Sequence, residues 1–177
     1  YFFLPSLLVL SQNRLTRVIN KEGVDISRHI IEELALSEAD KFLAEHPTLY
    51  PELMGDKTII LESEIIKIKA DGYELDLETT GQAKELAVTT RLVLTSRELL
   101  RQLKERARKL NPIEREVPLR TFVSSAAIVL SSIPREKNFV ILDPTGVLTD
   151  LVVIKDGAIL AEGSFPLGQV NLVSRLA

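Results

Sequence analysis

Apolar and polar residues alternate, or recur every three or four positions, in blocks that divide most of the chain into readable elements. Ser6 to Leu10 and Leu15 to Ile19 read as short strands, with Ser11-Gln12-Asn13 as the turn between them. From Ser27 the period changes. Ser27 is suited to cap a helix whose apolar stripe is Ile30, Ile31, Leu34, Ala35, Ala39, Phe42 and Leu43, spaced by threes and fours. Glu32, Glu33, Asp40 and Glu45 fall on the opposite, solvated face. Pro47 and Pro51 close the helix, because proline disfavours a helical conformation in the residue before it.

The period then drops to two. Glu64 to Ala70 sets Ile66, Ile68 and Ala70 on one face and Lys67 and Lys69 on the other. Asp71-Gly72 suits a tight hairpin turn in which both central residues need positive φ. Tyr73, Leu75 and Leu77 continue the alternation, Thr80-Gly81 interrupts it, and Leu86 to Leu94 forms a third strand. Thr95 and Glu98 have the spacing of a capping box, opening a helix with Leu99, Leu103, Ala107 and Leu110 on its apolar side. Asn111-Pro112 ends it. Helix, three antiparallel strands and helix make a small α+β unit. A further apolar helix is expected over Thr121 to Ser132. Beyond Pro134, Phe139 to Leu142 reads as a buried strand and Leu148 to Ile154 as a second. Asp156-Gly157 is a turn, Ala158 to Phe165 a third strand, and Gly168 leads into a helix.

Composition narrows the chemistry. The 177 residues include no Cys, which removes thiolate catalysis, disulfides and Cys-based zinc sites, and is compatible with a reducing cytoplasm. A net charge of −3 argues against a dedicated nucleic-acid binder. No run reaches the ~18 apolar residues of a membrane-spanning helix, and the apolar start from Tyr1 to Leu10 is broken by Pro5 and Ser6. It also lacks the basic start and cleavage pattern of a signal peptide. A start without Met inside a hydrophobic run, and an end in the first turns of an expected helix, suggest a piece of a longer protein.

The last segment carries the clearest chemistry. Asp143 ends a strand, a loop containing Gly146 follows, and Thr149-Asp150 leads into the next strand. Such a loop can turn backbone N–H groups toward a phosphate, and the first Asp can hold a magnesium-bound water. This segment resembles the second phosphate loop of the actin-like ATPases, D-x-G-x-x-T-T-D. It is most similar to the branch containing the bacterial division protein FtsA and the type IV pilus assembly protein PilM. Lys155-Asp156-Gly157 and Phe165-Pro166-Leu167-Gly168 fit that branch. So does the middle unit, through Asp71-Gly72-Tyr73, Lys84-Glu85-Leu86 and the Ser96 to Leu110 helix. It resembles the SHS2-type module inserted in these proteins for protein–protein contacts. The apolar Phe122-Val123-Ser124-Ser125-Ala126 stretch fits the family's return to its core.

The resemblance implies an α/β, ribonuclease H-like actin fold with an α+β insert. Residues 1–26 would end a first subdomain, 27–111 would be the insert and 112–177 would begin a second subdomain. It implies ATP and magnesium as cofactors, with Asp143, Thr145, Gly146, Thr149, Asp150 and Gly168 around the nucleotide and Asp143 acting through water on the metal. The departures weaken this. Pro144 has no N–H to donate, Thr145 stands where the family has a glycine, and Leu148 replaces the first threonine. Weak ATP binding or hydrolysis at most is therefore expected, with no catalytic residue and no direct metal ligand assigned.

Ordinary readings compete at each point. Asp143-Pro144 commonly starts turns, and Asp150 reads better as a structural hydrogen-bonding group. The helix with Arg97, Arg101, Lys104, Arg106, Arg108 and Lys109 also carries Glu98 and Glu105 at pairing distance, which favours a solvated face over phosphate contacts. His29 and His46 lack partners at ligand spacing and read as surface residues, and no serine has nucleophile context. Lys67 and Lys69 either flank an edge that accepts a partner strand or protect that edge from pairing.

The expected role is a bacterial scaffold, cytoplasmic and peripheral to the inner membrane, for pilus or secretion assembly rather than division. Ile66, Ile68, Tyr73 and Leu75 are its candidate partner surface. Its partner would be an inner-membrane assembly protein or that protein's cytoplasmic tail, with self-association open and neither nucleic acid nor membrane insertion expected. The alternative is an active ATPase or phosphotransferase of the same superfamily.

Overall fold

The computed structural model describes residues 2–4, 6–49, 57–110, 119–121, 137–156 and 158–176. Its chain divides into two compact units, a split unit of Tyr1–Val9 with Glu116–Ala177 and an inserted unit of Leu10–Arg115.

In the inserted unit the Ser27 hydroxyl accepts the Ile30 N–H at 3.3 Å, and α1 runs from Arg28 to Glu45 behind that cap. The sheet is four-stranded, in the order β2 (Val9–Ile26), β5 (Gly81–Ser96), β3 (Thr58–Ala70), β4 (Tyr73–Leu75). The two short strands expected at the start are one continuous strand. Ser11-Gln12-Asn13 makes no turn, since a strand with one open face tolerates polar residues there. Residues 10–26 thus belong to the inserted unit, whereas the sequence placed its start at 27.

From Leu86 onward, even-numbered residues of β5 face α1. Ile31 packs with Ile26, Ile68, Leu86 and Val88, while Phe42 and Ala39 pack with Leu92 and Leu94 further along the same face. Ile31, Phe42, Leu86, Val88, Leu92 and Leu94 are all fully buried, each burial being worth about 1.5–3 kcal/mol. Odd-numbered residues of that stretch of β5 point the other way. At one end of that face Arg91, Val93 and Thr95 are also buried, and Arg91 meets the Glu62 carboxylate at 2.8 Å.

Asp71 (φ 48°) and Gly72 (φ 87°) make the hairpin turn joining β3 to β4. The Asp71 carboxylate also accepts the backbone N–H groups of Lys84 and Glu85 at 3.0 and 2.9 Å, holding β5 to the turn. The helix after β5, α2 (Arg97–Leu110), is capped by Ser96, whose hydroxyl accepts the Leu99 N–H at 3.2 Å. Thr95, the expected cap, is the penultimate residue of the strand and is fully buried. Ala107 is buried in α2, while Leu99 and Leu103 are half-buried.

In the split unit β1 (Phe2–Leu4) pairs in parallel with β6 (Leu119–Thr121), from Phe2 opposite Leu119 to Leu4 opposite Thr121. Thr121 is therefore a strand residue and not the start of a helix; the expected helix residues 122–132 lie outside the described residues. β7 (Phe139–Pro144), β8 (Thr149–Lys155) and β9 (Ala158–Phe165) form an antiparallel meander followed by α3 (Gln169–Leu176). Val152, Ile154 and Ile159 form its buried cluster, with Phe139 and Ile141 against them. β7 alternates between half-buried and exposed positions and is not the buried strand expected.

The described residues are thus α+β: two antiparallel sheets, of four and three strands, with two main helices. Among them no helix is long and apolar enough to cross a membrane.

Candidate functional site

The expected phosphate loop links β7 to β8 and is fastened to the start of α3. Asp143 and Pro144 stand opposite Asp150 and Thr149 in the register. Thr145 closes the turn, its N–H and its hydroxyl donating to the Leu148 carbonyl at 2.8 and 2.9 Å. The Thr145 and Gly146 carbonyls then accept the N–H groups of Gln169 and Val170 at 2.8 and 3.0 Å. Asn171 Oδ1 accepts the Gly168 N–H at 3.2 Å, and Gln169 Nε2 donates to the Pro144 carbonyl at 2.8 Å. The Thr149 hydroxyl donates to the Leu167 carbonyl.

This contact explains Gly168 physically. A Cβ there would stand 2.5 Å from the Gly146 carbonyl oxygen and 2.6 Å from that of Thr145, so the loop and the helix start meet only over a glycine. The same contact occupies helix N–H groups that would otherwise face an anion.

Asp143, Thr145, Gly146, Thr149, Asp150 and Gly168 are thus brought together, but as a bonded corner. Asp150 is buried and accepts hydrogen bonds from the hydroxyls of Ser164, at 2.8 Å, and Ser6. Ser164 is the cross-strand partner of Asp150 in the β8–β9 hairpin, whereas Ser6 lies far off in sequence with no spacing signal to announce it. Among the described residues, the backbone N–H groups of Gly146 and Val147 and the carboxylate of Asp143 are free of hydrogen bonds. Two amides and one carboxylate are a short donor set for a triphosphate with its magnesium. No group of three His, Cys, Asp or Glu among the described residues is placed to hold a metal ion.

The expected partner surface needs correction. Ile68 is 5% exposed and part of the α1-facing core, and Leu75, its cross-strand partner, packs against that core. Ile66 is the extra residue of a bulge, since Ile65 pairs with Thr90 and Lys67 with Thr89. It is half-buried. Of the four residues only Tyr73, 79% exposed, presents most of its side chain to solvent. A second bulge at Leu61 shifts β3 again.

Lys69 is paired on both sides, with Ala87 on β5 and Glu74 on β4, while Lys67 stands one residue beyond the pairing of β4; both line a depression of about 350 Å³ on the face opposite α1. Leu15 and Arg17 of β2 form its other side, with Ala87 and Thr89 between and Glu85 and Gly72 toward one end. Lys67 pairs with Glu74 at 3.0 Å and Arg17 loosely with Glu85 at 3.7 Å. Lys69 has no carboxylate within ion-pair distance among the described residues. The Leu15, Arg17, Ile19 alternation was the available signal, masked by reading the polar residues before it as a turn.

Elsewhere the charges serve structure. On the α1 side of the sheet, Arg14 Nε meets Glu38 at 2.8 Å and its terminal nitrogen meets Glu45 at 2.7 Å, with the guanidinium 5.3 Å from the centre of the Phe42 ring. Burial of Glu38 favours its neutral form, but hydrogen bonds from Arg14 and Thr16 outweigh it and hold the carboxyl below its ordinary range. On α2, Arg101 bridges Glu98 and Glu105 at 2.5 Å each, and hydrogen bonds from Arg101 and Gln102 lower Glu98 to about 2. His29 is exposed, and His46 caps the end of α1 with its ring 5.0 Å from that of Phe42, edge to face.

No known protein-family model matches this sequence, and no curated protein shows significant similarity to it.

Proposed function

We propose that the chain is part of a docking scaffold of the FtsA and PilM kind, an actin-like core carrying an SHS2-type module, with a degenerate nucleotide site. The observation that carries this reading is the insertion of one unit within the other. The split unit is built from Tyr1–Val9 and Glu116–Ala177, and its first and last parts are rejoined by the parallel pair β1 and β6. Leu10–Arg115 between them has its own sheet, helices and core. A self-contained unit inserted within another is suited to presenting a surface to a partner. The meander and following helix support the actin-like reading of the remainder, and the bonded corner at Thr145, Gly146 and Gly168 supports a site that has lost its phosphate cradle. The proposed partner is an inner-membrane assembly protein, bound through its cytoplasmic part, which makes the scaffold cytoplasmic and peripheral to the membrane.

Co-sedimentation of the purified chain with inverted inner-membrane vesicles of its source tests this. Binding is expected, is lost when the vesicles are first shaved with protease, and is absent with protein-free lipid vesicles. Equal binding to protein-free lipid, or no binding to any vesicle, contradicts the reading.

A second reading, an active ATPase or phosphotransferase, is favoured by the unengaged Asp143 carboxylate and the Gly146 and Val147 amides beside it. Calorimetric titration with ATP and magnesium separates the two. Micromolar binding abolished by Asp143→Ala supports the enzyme; no binding at millimolar ATP removes it.

A further inference from the structure

We infer that the depression on the open face of the four-stranded sheet is the docking groove of the inserted unit, and that its occupant is an extended acidic segment of a partner protein with interspersed apolar residues. This rests on reading the inserted unit as the docking module, and names the chemistry of its partner.

The shape follows from the side chains. Ala87 and Thr89 on β5 are short and form a floor, while the strands on either side raise walls: Leu15 and Arg17 on β2, Lys67 and Lys69 on β3. The walls are two strand spacings apart, about 9.5 Å. That width admits one extended chain running along β5, whereas an α-helix with its side chains, about 10–12 Å across, would ride above the floor. At the far end the same face is already occupied, since Arg91, Val93 and Thr95 are buried, so the groove has a closed end and an open one.

Charge selects the occupant. Three cations line the walls against two carboxylates, Glu85 in the lining and Glu74 paired with Lys67 at 3.0 Å, in a protein whose net charge is −3. Lys69 is not neutralised by any carboxylate among the described residues, and the Arg17–Glu85 contact is long at 3.7 Å. Leu15, 52% exposed, and the Ala87 methyl give apolar contact between the cations. A small anion is a poor fit. Sites for small ligands bury 70–90% or more of their ligand, and this trough is open along its length with exposed lysines at its rim. A segment contacting it at several points collects enough attraction to dock, with a strong dependence on salt.

Fluorescence anisotropy of a fluorescein-labelled decapeptide of alternating Asp and Leu, titrated with the whole chain, tests this. Binding is expected at low salt, at least tenfold weaker for a Lys–Leu counterpart, and strongly reduced by added salt. Reversing both wall lysines (Lys67→Glu with Lys69→Glu) should weaken binding at least tenfold, and filling the floor by Ala87→Leu should do the same with the cations intact. Both variants are checked for an unchanged urea midpoint; the comparison of acidic and basic peptides on the native chain needs no variant. Equal binding of the two peptides, or indifference to all three substitutions, overturns the proposal. So does displacement by pyrophosphate at the concentration at which unlabelled peptide displaces, which makes the groove a small-anion site. If the peptide fails while receptor-bearing vesicles still bind, the groove falls and the docking reading stands; if neither binds, the docking reading fails with it.

Discussion

In the four-stranded sheet the face toward α1 carries the main apolar core and the open face mixes cations with a few apolar side chains, whereas in the three-stranded sheet both faces carry large apolar side chains. On β5 the even residues Leu86, Val88, Leu92 and Leu94 are buried against α1, and the open part of the other face shows Arg17, Lys67, Lys69 and Thr89. On β7 the inward Phe139 and Ile141 alternate with Val140 and Leu142, which are 57% and 59% exposed. Alternation of apolar with polar residues marks a sheet with one covered face; apolar residues on both faces mark a sheet suited to cover on both. One region is therefore complete as a small domain. The other has the side chains of an inner layer, and its polar groups are spent on fastening the loop to α3.

Replacing core residues should expose this difference most strongly. Phe42→Ala, at a fully buried position between α1 and β5, is expected to cost about 3–5 kcal/mol in urea unfolding of the inserted unit. If it costs under about 1 kcal/mol, the inserted unit does not have the core described. Next is Arg14→Ala, which strips Glu38 and Glu45 of their hydrogen bonds and should cost about 1–3 kcal/mol.

The same cluster gives a pH signature. Glu38 titrates lower in the folded state than its ordinary 4.5, so its contribution is present above about pH 4.5 and is lost as pH falls through the lower, folded value. Glu38→Gln should flatten that acid limb, read from urea midpoints across the acid range. An unchanged limb means that other carboxylates set it.

The corner of the split unit comes third. Gly168→Ala places a methyl 2.5 Å from the Gly146 carbonyl oxygen and should cost about 1–3 kcal/mol. Faster hydrogen exchange at the Gln169 and Val170 amides is the check; unchanged exchange contradicts the loop-to-helix contact. The smallest effect is expected at Leu142→Ser on the exposed face of the meander, within about 0.5 kcal/mol. A loss of several kcal/mol there would show that this face is covered in the chain as it stands.

Much of the fold was legible because its signals are local. Ser27 sits three positions before an apolar helical stripe, and Asp71-Gly72 between two alternating runs has one economical conformation. The three strands of the meander and the helix after Gly168 were read in the right order for the same reason. Long-range effects hid the rest. The bulge at Ile66 interrupts the alternation of β3, and Ile68, expected on the partner surface, shares the core face with Ala70, as their spacing allows. Ser11-Gln12-Asn13 looked like a turn because polarity was read without knowing that β2 keeps one face open. Ser96 won the cap from Thr95 because the strand runs one residue further, pairing Ser96 with Thr58. The candidate loop was found by its residue types, but its bonding to α3 and to Ser6 joins parts no spacing rule connects.

If the inserted unit is the docking part, as proposed, it competes with the full chain for membrane sites. Residues 10–115 are expressed alone and added to the co-sedimentation of the full chain with inner-membrane vesicles. Displacement of the full chain, at concentrations close to those at which unlabelled full chain displaces itself and without added nucleotide, is the predicted result. A folded 10–115 fragment that leaves vesicle binding untouched, or binding that appears only with ATP and magnesium, would contradict it.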